Sequence, residues 1–205
     1  MTKLAVLNDL IKQYLVDVED SKSNFKLAKH YDEMGHSASA VSYYLRSAER
    51  SNDKILQYSA LIGAATCYQR EGFRNFTVVS IMRNALLIDL ERPEGYFYLA
   101  QHHERNARNN SNNSDAAKEW HNCYFYACLG EKFAKRNLPK LYVDIGYPGH
   151  YSFIFFRAMS AWWCGLCQES KDTFEMLLKD YGHVMSPEYV QVVKNNLNFF
   201  TKPNK

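Results

Sequence analysis

Residues 23–50 read SNFKLAKHYDEMGHSASAVSYYLRSAER, and several of these residue types return 37 positions further along the chain. The recurring positions are Tyr31 and Tyr68, Gly35 and Gly72, and Ala48 and Ala85. In both copies apolar residues follow helical spacing on either side of the glycine, and glycine readily takes the left-handed conformation that ends a helix. Each copy is therefore predicted to be a pair of helices joined by a short turn.

The first copy divides into helix 24–34 and helix 38–50, with Gly35 ending the first helix and Ser37 expected to cap the second. Alanines on the apolar faces permit close approach of neighbouring helices. One hairpin of this length cannot shield such faces from water, whereas a second hairpin stacked beside it can. The sequence thus predicts an all-α solenoid of stacked αα-hairpins.

The same periodicity continues along the rest of the chain, which we interpret as one domain, residues 1–205. An N-terminal cap helix, four repeats and a C-terminal cap helix are predicted. They cover residues 4–18, 23–50, 55–90, 94–130, 150–181 and 187–200.

Two segments interrupt the helical pattern. Residues 106–115, NARNNSNNSD, are polar and are predicted to form a mobile loop, since they hold too little apolar surface to pack. Prolines and glycines punctuate residues 137–149, which are predicted to form an extended connector. Leu141, Val143 and Tyr147 are expected to anchor this connector.

The spacing of the motif residues resembles the tetratricopeptide repeat, W-x2-L-G-x2-Y followed by A-x3-F and P, on a period of about 34 residues. The matching segments are Leu27-Ala28-x2-Tyr31, Ala40-x3-Tyr44, Ala64-Ala65-x2-Tyr68 and Tyr96-x2-Leu99-Ala100-x2-His103. No unit carries the whole motif, and the first position is never Trp. The resemblance therefore implies a tetratricopeptide-like fold with capping helices, not a regular array.

A narrower resemblance covers about residues 23–200. Segments such as QYSALIGAATCYQREGFRNFTV, WHNCYFYACLGE and DIGYPGHY resemble the helical module of phage and environmental-bacterial proteins labelled glycosyltransferases. In several of those proteins the module lies beside a nucleotide-sugar transferase domain. The resemblance implies an association with a glycosyltransferase or a glycosylation system, without making this chain a transferase.

Tetratricopeptide proteins bind ligands in a concave groove formed by the first helix of each hairpin. The resemblance carries this groove over to nine polar positions. They are Lys29, Asp32, Glu33, Thr66, Gln69, Arg70, Gln101, Glu104 and Arg105. This mixed polar stripe could hold a peptide backbone or a peptide terminus, and the alternative is an ordinary solvated helix face.

Aromatic residues make up 15% of the chain, and their position in the repeat separates two sets. Those at motif positions are expected in the core: Tyr31, Tyr44, Tyr68 and Trp162. Packing is the favoured interpretation of most aromatics, but three lie one residue off that stripe and could face the groove: Phe97, Phe156 and Trp163. A ring in the groove could also stack on a sugar.

The bulk composition excludes several classes of partner. The net charge is only +3, with 25 basic and 22 acidic residues, which is too little excess to indicate nucleic-acid binding. Charged residues interrupt every apolar stretch, so neither a membrane span nor a secretory signal is predicted. The five cysteines form an odd set with mostly apolar neighbours. Reduced thiols and a cytoplasmic location are therefore expected.

Motifs that would support catalysis are weak. The Asp-x-Asp motif of metal-dependent sugar transfer is missing, and so is a glycine-rich phosphate loop. Cys164 and Cys167 form a Cys-x-x-Cys pair. Both are predicted near the end of an aromatic helix, where the helix dipole disfavours a thiolate. We interpret them as small core thiols.

Metal sites are similarly disfavoured. A zinc site from these two cysteines with Cys123 and Cys128 is conceivable, but one short pair on each of two helices is a weak signal. His102 and His103 are adjacent and diverge by about 100° on a helix. Core packing is the better interpretation of both, so no catalytic residue, metal or cofactor is predicted.

The favoured hypothesis is a non-catalytic scaffold that binds a protein or peptide, with a glycosyltransferase among the expected partners. The first alternative is an accessory subunit or fragment of a glycosyltransferase that contacts a nucleotide sugar or glycan. The second is a virion or self-assembling structural protein, because an aromatic-rich solenoid can stack end to end.

Overall fold

The computed structural model describes residues 2–72, 74–110 and 112–201, and within them it contains helices and no strand. The ten helices of these ranges are α1 (Lys3–Val16), α2 (Ser21–Glu33), α3 (Ser37–Arg50), α4 (Lys54–Glu71), α5 (Asn75–Ile88), α6 (Pro93–Asn109), α7 (Asn113–Phe133), α8 (Tyr151–Trp163), α9 (Cys167–Tyr181) and α10 (Pro187–Thr201). The all-α prediction is confirmed. The predicted range 1–205 also includes residues 1, 73, 111 and 202–205, which lie outside the described residues.

The helices belong to two compact units. Unit 1 is formed by residues 1–91 and 137–144, and unit 2 by residues 92–136 and 145–205. Unit 1 therefore holds the N-terminal cap helix and two hairpins, α2/α3 and α4/α5. Unit 2 holds the hairpins α6/α7 and α8/α9 and the C-terminal cap helix α10. That residues 1–205 form one domain stays a prediction.

Stacked hairpins build the core of unit 1. Helix α3 packs against α2 on one side and against α4 on the other, while α1 covers α2. The core cluster contains Phe25, Ala28, Ala40, Val41, Tyr44, Ala48, Leu56, Ala60, Ala64 and Cys67. Helices α3 and α4 touch at Gly63, where a Cβ atom would lie 2.5 Å from Cζ of Tyr44. The glycine is required by this close approach.

The turn between α2 and α3 is built as the sequence predicts. Gly35 has a φ of +81° and follows the last turn of α2. Its N–H donates to the carbonyl of Asp32 at 2.9 Å, and the N–H of His36 donates to the carbonyl of Tyr31 at 2.9 Å. This pair of bonds is the Schellman motif. The expected capping role of Ser37 is wrong, because α3 already begins at Ser37 and its N-cap residue forms no side-chain capping bond.

Side-chain oxygens cap several helices, among them α1, whose N-cap Thr2 accepts a hydrogen bond from the N–H of Ala5. Asp20 accepts hydrogen bonds from the N–H groups of Lys22 and Ser23 at the start of α2. The hydrogen bond from the Ser23 hydroxyl is the main cause that lowers the pKa of Asp20. Asp53 caps α4 and Asn112 caps α7 in the same way. Each cap satisfies N–H groups that have no partner within the helix.

The hairpins of unit 2 pack in the same manner. Helix α7 packs against both α6 and α8, and α9 packs against α8 and α10. Gly130 lies three residues before the end of α7, because the helix extends to Phe133. A Cβ atom at Gly130 would lie 2.1 Å from Cε1 of the buried Phe153. The residue therefore serves packing between α7 and α8.

The predicted polar loop 106–115 is mostly helical. Helix α6 continues to Asn109 and α7 begins at Asn113, so the connection is short. Ala107 is buried and Arg108 pairs with Glu104 one turn earlier. These tertiary and local contacts favour the helix where composition alone favours disorder. Ser111 lies outside the described residues.

Residues 135–149 contain no helix, as predicted for the connector, and the backbone bends at Tyr142 and Val143. Its first part belongs to unit 1, where Val143 packs against the core cluster. Its second part belongs to unit 2, where the ring of Tyr147 lies 5.3 Å from that of Phe97 and 5.5 Å from that of Phe153. Leu141 is half-buried.

Candidate functional site

The predicted polar stripe in unit 1 lies at the C-terminal ends of α2 and α4. Asp32 of α2 forms an ion pair with Arg70 of α4, and the thiol of Cys67 lies 3.5 Å from Oδ1 of Asp32 and 3.4 Å from Nη2 of Arg70. The hydrogen bond to Asp32 raises the pKa of Arg70. Burial, and then the charge of Asp32, raise the pKa of Cys67 to about 12. The thiol therefore stays protonated.

The other predicted residues of unit 1 are distributed around this ion pair. Lys29 and Glu33 are exposed, and Thr66 and Gln69 are half-buried. Thr66 donates from its hydroxyl to the carbonyl of Ile62 at 2.9 Å, within its own helix. The structure thus brings Asp32 and Arg70 together from two different hairpins.

The ion pair between Asp32 and Arg70 contributes little to stability, because the Arg70 side chain is 48% exposed. In a double-mutant cycle with Asp32→Ala and Arg70→Ala, we expect a coupling energy of less than about 1 kcal/mol. Urea unfolding of the four chains measures it. A coupling of several kcal/mol would contradict this view of the pair as a partly solvated surface feature.

The three predicted residues of unit 2 lie on α6. Gln101 and Glu104 are half-buried and Arg105 is exposed. Glu104 forms an ion pair with Arg108, one turn further along α6. The other six predicted residues belong to unit 1, and the idea that all nine line one groove stays a prediction.

The clearest concave site in unit 2 is an aromatic cleft of about 490 Å³. It is lined by Arg108, Met159, Trp162, Trp163, Ser170, Phe174, Val192, Asn196, Phe199 and Phe200. These residues come from α6, α8, α9 and α10. Trp163 is 57% exposed, Phe199 64% and Trp162 39%. Large rings are thus left accessible at one place, and we refer to it as the aromatic cleft.

Contacts with fixed geometry hold one wall of the aromatic cleft. The rings of Trp163 and Trp120 stack in parallel, with centroids 5.5 Å apart and an interplanar angle of 8°. The Arg108 guanidinium lies 6.0 Å from the Trp120 ring and its Nη2 lies 3.0 Å from Sδ of Met159. Because Glu104 also pairs with Arg108, this cation is oriented from three sides.

Trp163 and Arg108 also line a second, adjoining cleft of about 600 Å³ in unit 2. Its remaining lining residues come from the end of α6 and the start of α7, and they include Asn110 and Asn113. Its polar groups lie in the Asn-rich segment that the composition indicated as a mobile loop. The stacked tryptophans therefore separate an apolar cleft from a more polar one.

The structure separates the three aromatics that could have faced the groove. Phe97 and Phe156 are buried in the core, which agrees with the favoured packing interpretation, while Trp163 is exposed. Trp162 was expected in the core but is exposed, and its ring meets the Phe200 ring edge to face with centroids 4.9 Å apart. The register of the degenerate motif in α8 is therefore shifted, because the helix ends at Trp163 and leaves both tryptophans at its last turn.

The cysteine pair is divided between two helices. Cys164 follows α8, as predicted, and burial raises its pKa. Cys167 is exposed and is the first residue of α9, so its prediction as a core thiol at a helix end is wrong. The reason is Gly165, whose φ of +80° ends α8 before the second cysteine. All five cysteines are free thiols.

His102 and His103 are both buried and use different partners. Nδ1 of His103 lies 2.6 Å from Oε2 of Glu119, and its ring stacks on Tyr126 at 5.4 Å. The amide of Asn106 lies 3.0 Å from Nε2 of His102. In the part of the chain that the structure describes, no group of three or more His, Cys, Asp or Glu is arranged to hold a metal ion.

Comparison with solved structures supports the fold. The crystal structure of MamA matches with a TM-score of 0.61 and 13% identity, over 84% of this chain and 85% of that one. A second MamA structure matches with a TM-score of 0.53 and 10% identity, over 97% and 86%. The tetratricopeptide domain of P58(IPK) matches with a TM-score of 0.42 and 14% identity, over 98% and 62%.

The sequence itself gives no close relative. No protein-family model matches it, and no curated protein is similar to it in sequence. The two MamA structures are below 25% identical to this chain, so they show the fold alone. Together with the stacked hairpins, they assign the chain an all-α, tetratricopeptide-like αα-hairpin repeat fold. Within the described ranges, no helix has the length and apolar character needed to cross a bilayer.

Proposed function

We propose that the chain is a non-catalytic module that binds a partner protein, and that the aromatic cleft of unit 2 holds apolar side chains of a partner peptide. The observation that carries this proposal is the set of helices that line the cleft. Its lining combines α6 and α8, which by sequence position are the first helices of their hairpins, with the second helix α9 and the cap helix α10. First helices such as α6 and α8 line the ligand groove in the tetratricopeptide pattern.

The composition of the cleft supports a peptide ligand. Trp, Phe, Met and Arg are enriched at the centres of protein interfaces, where a few of them supply most of the binding free energy. A volume of about 490 Å³ has room for two or three apolar side chains. The walls are preorganised, since the Trp120–Trp163 stack and the contacts of Arg108 exist before any ligand arrives. Preorganisation lowers the entropy lost on binding.

Polar groups at the cleft can fix the direction of a peptide. The Arg108 guanidinium and the Asn196 amide both line the cleft, and each can donate to a backbone carbonyl. Glu104, one of the predicted groove residues, acts here through its ion pair with Arg108. In this proposal Gln101 and Arg105 remain candidate rim residues of the same unit.

The identity of the partner rests on the sequence resemblance alone. A glycosyltransferase or its acceptor is the proposed partner, and a cytoplasmic location of the complex is part of the same proposal. The free cysteines agree with a reducing compartment. Neither structural match bears on the link to glycosylation.

Selection of a random peptide library on the immobilised chain tests the proposal. We expect the selected peptides to share two or more large apolar side chains. Because hot-spot residues cost about 2 kcal/mol or more on truncation, Trp163→Ala should weaken binding of a selected peptide at least about tenfold. Fluorescence polarisation with a labelled peptide measures this change.

The matched control is Phe125→Ala, which removes another exposed aromatic ring of unit 2 that does not line the cleft. Its affinity should equal that of the wild-type chain. If Phe125→Ala weakens binding as much as Trp163→Ala does, the cleft is not the site. If no peptide is enriched and a nucleotide sugar raises the melting temperature, the chain instead contacts sugar donors.

A further inference from the structure

A segment of the chain itself is seated on unit 1. The backbone N–H of Tyr142 donates to Oγ of Ser59 at 3.0 Å, and the Tyr142 hydroxyl lies 3.5 Å from Oδ2 of Asp53. The Tyr142 ring meets the Phe25 ring edge to face, with centroids 6.0 Å apart. Val143 packs against the core cluster. The connector thus contacts α2 and α4 through Tyr142 and Val143, where its backbone bends.

The seat of this segment continues the polar stripe of unit 1. Phe25 lies seven residues before Asp32 on α2, and Ser59 lies seven residues before Thr66 on α4. Residues seven apart share a face of a helix, since seven residues make almost two turns. The connector therefore occupies the N-terminal part of the pair of helix faces whose C-terminal part holds Asp32 and Arg70.

The contacts combine one polar and two apolar interactions, as in recognition of a short peptide. The Tyr142 N–H donates to the Ser59 hydroxyl, the Tyr142 ring meets Phe25, and the half-buried Val143 packs against the core cluster. In peptide recognition, backbone hydrogen bonds contribute affinity, while side-chain contacts give specificity. Tyr142 keeps 50% of its surface exposed, so the docking is shallow enough to be reversible.

We propose that residues 137–144 are a resident, autoinhibitory ligand of unit 1, and that this face binds extended partner segments carrying a Tyr–Val pair. The inference deepens the proposed function, because it assigns unit 1 a peptide class of its own. A tethered segment acts at an effective concentration in the millimolar range, so a partner segment must displace it. Unit 1 is then closed to weak ligands and open to a partner that also engages unit 2.

The test uses the full chain and a fluorescein-labelled peptide with the sequence NLPKLYVD, which copies residues 137–144. The chain with Tyr142→Ala and Val143→Ala should bind this peptide at least about tenfold more tightly than the wild-type chain does. A peptide with Tyr replaced by Ala should not bind. Lys140→Ala, a change at an exposed side chain of the same connector, should leave the weak binding of the wild-type chain unchanged.

The inference is overturned if the double variant retains its helical circular dichroism and binds the copied peptide no better than the wild-type chain does. If the double variant fails to fold, hydrogen exchange in the wild-type chain decides. The Tyr142 amide should exchange at least about tenfold more slowly than it does in Ser59→Ala, and equal rates would overturn the inference. Adding Trp163→Ala to the double variant separates the sites, because it should abolish binding of cleft-selected peptides and spare binding of NLPKLYVD.

Discussion

Phe153→Ala is expected to lower the free energy of unfolding by about 3–5 kcal/mol, which is the usual cost of truncating a buried phenylalanine. Phe153 is fully buried and its ring contacts those of Phe97 and Tyr147. It joins α8 to α6, α7 and the connector at one point of unit 2. Urea unfolding followed by circular dichroism measures the loss, and Phe125→Ala, at an exposed ring, should cost less than about 1 kcal/mol.

Gly130→Ala tests the same contact between α7 and α8. Its effect on the free energy of unfolding is expected to change sign when Phe153 is replaced by Ala. In the wild-type chain a methyl group at Gly130 would collide with the Phe153 ring, so Gly130→Ala should cost about 1–3 kcal/mol. In the Phe153→Ala background the collision is gone, and the same change should instead stabilise α7 by up to about 1 kcal/mol, the helix-propensity difference. Equal costs in both backgrounds would show that the two helices do not meet at this point.

Acidification is expected to destabilise the protein by about 3 kcal/mol through His102 alone. Burial, and next the neighbouring His103, lower the pKa of His102 from 6.5 to about 4. Between these two values the unfolded chain binds a proton that the folded chain does not. Stability is therefore fully present above about pH 6.5 and falls as the pH drops towards 4, by roughly 1.4 kcal/mol for each pH unit.

Chemical denaturation at several pH values between 7 and 4 measures this dependence, with His102→Gln as the comparison. His150 also has a pKa lowered by burial, so the variant should keep a smaller slope rather than none. The lowered pKa of Glu119 acts only below its usual value of 4.5 and falls mostly outside the window. A slope in His102→Gln as steep as that of the wild-type chain would contradict the assignment.

The hairpins could be predicted from the sequence because their signals are local. Gly35 ends α2 through backbone geometry that only its immediate neighbours complete. Helical periodicity likewise predicted the burial of Tyr44 and Leu99. Composition gave the wrong prediction where the local structure depends on tertiary contacts. The polar segment 106–115 was predicted to be a loop, but most of it is helical because Ala107 is buried and Arg108 has partners on α6 and α8.

The candidate sites were harder to predict than the fold. The motif register assigned Asp32 and Arg70 to one polar stripe, and only the structure shows that the two form an ion pair. It could not show that α8 ends at Trp163, and so it assigned Trp162 to the core and missed Arg108, Val192 and Phe199 altogether. In the connector, only the aromatic and β-branched residues indicated that the segment packs against the helices. Which helix face they cover depends on tertiary structure and could not be predicted.

Fluorine NMR of the chain labelled with 5-fluorotryptophan tests the central claim most directly. The chain has three tryptophans, Trp162 and Trp163 in the aromatic cleft and Trp120 stacked against Trp163. Single Trp→Phe variants assign the three signals. Titration with a library-selected peptide should shift the Trp162 and Trp163 signals in proportion to occupancy. Saturating binding with all three signals unmoved would contradict the proposal that partners bind in this cleft.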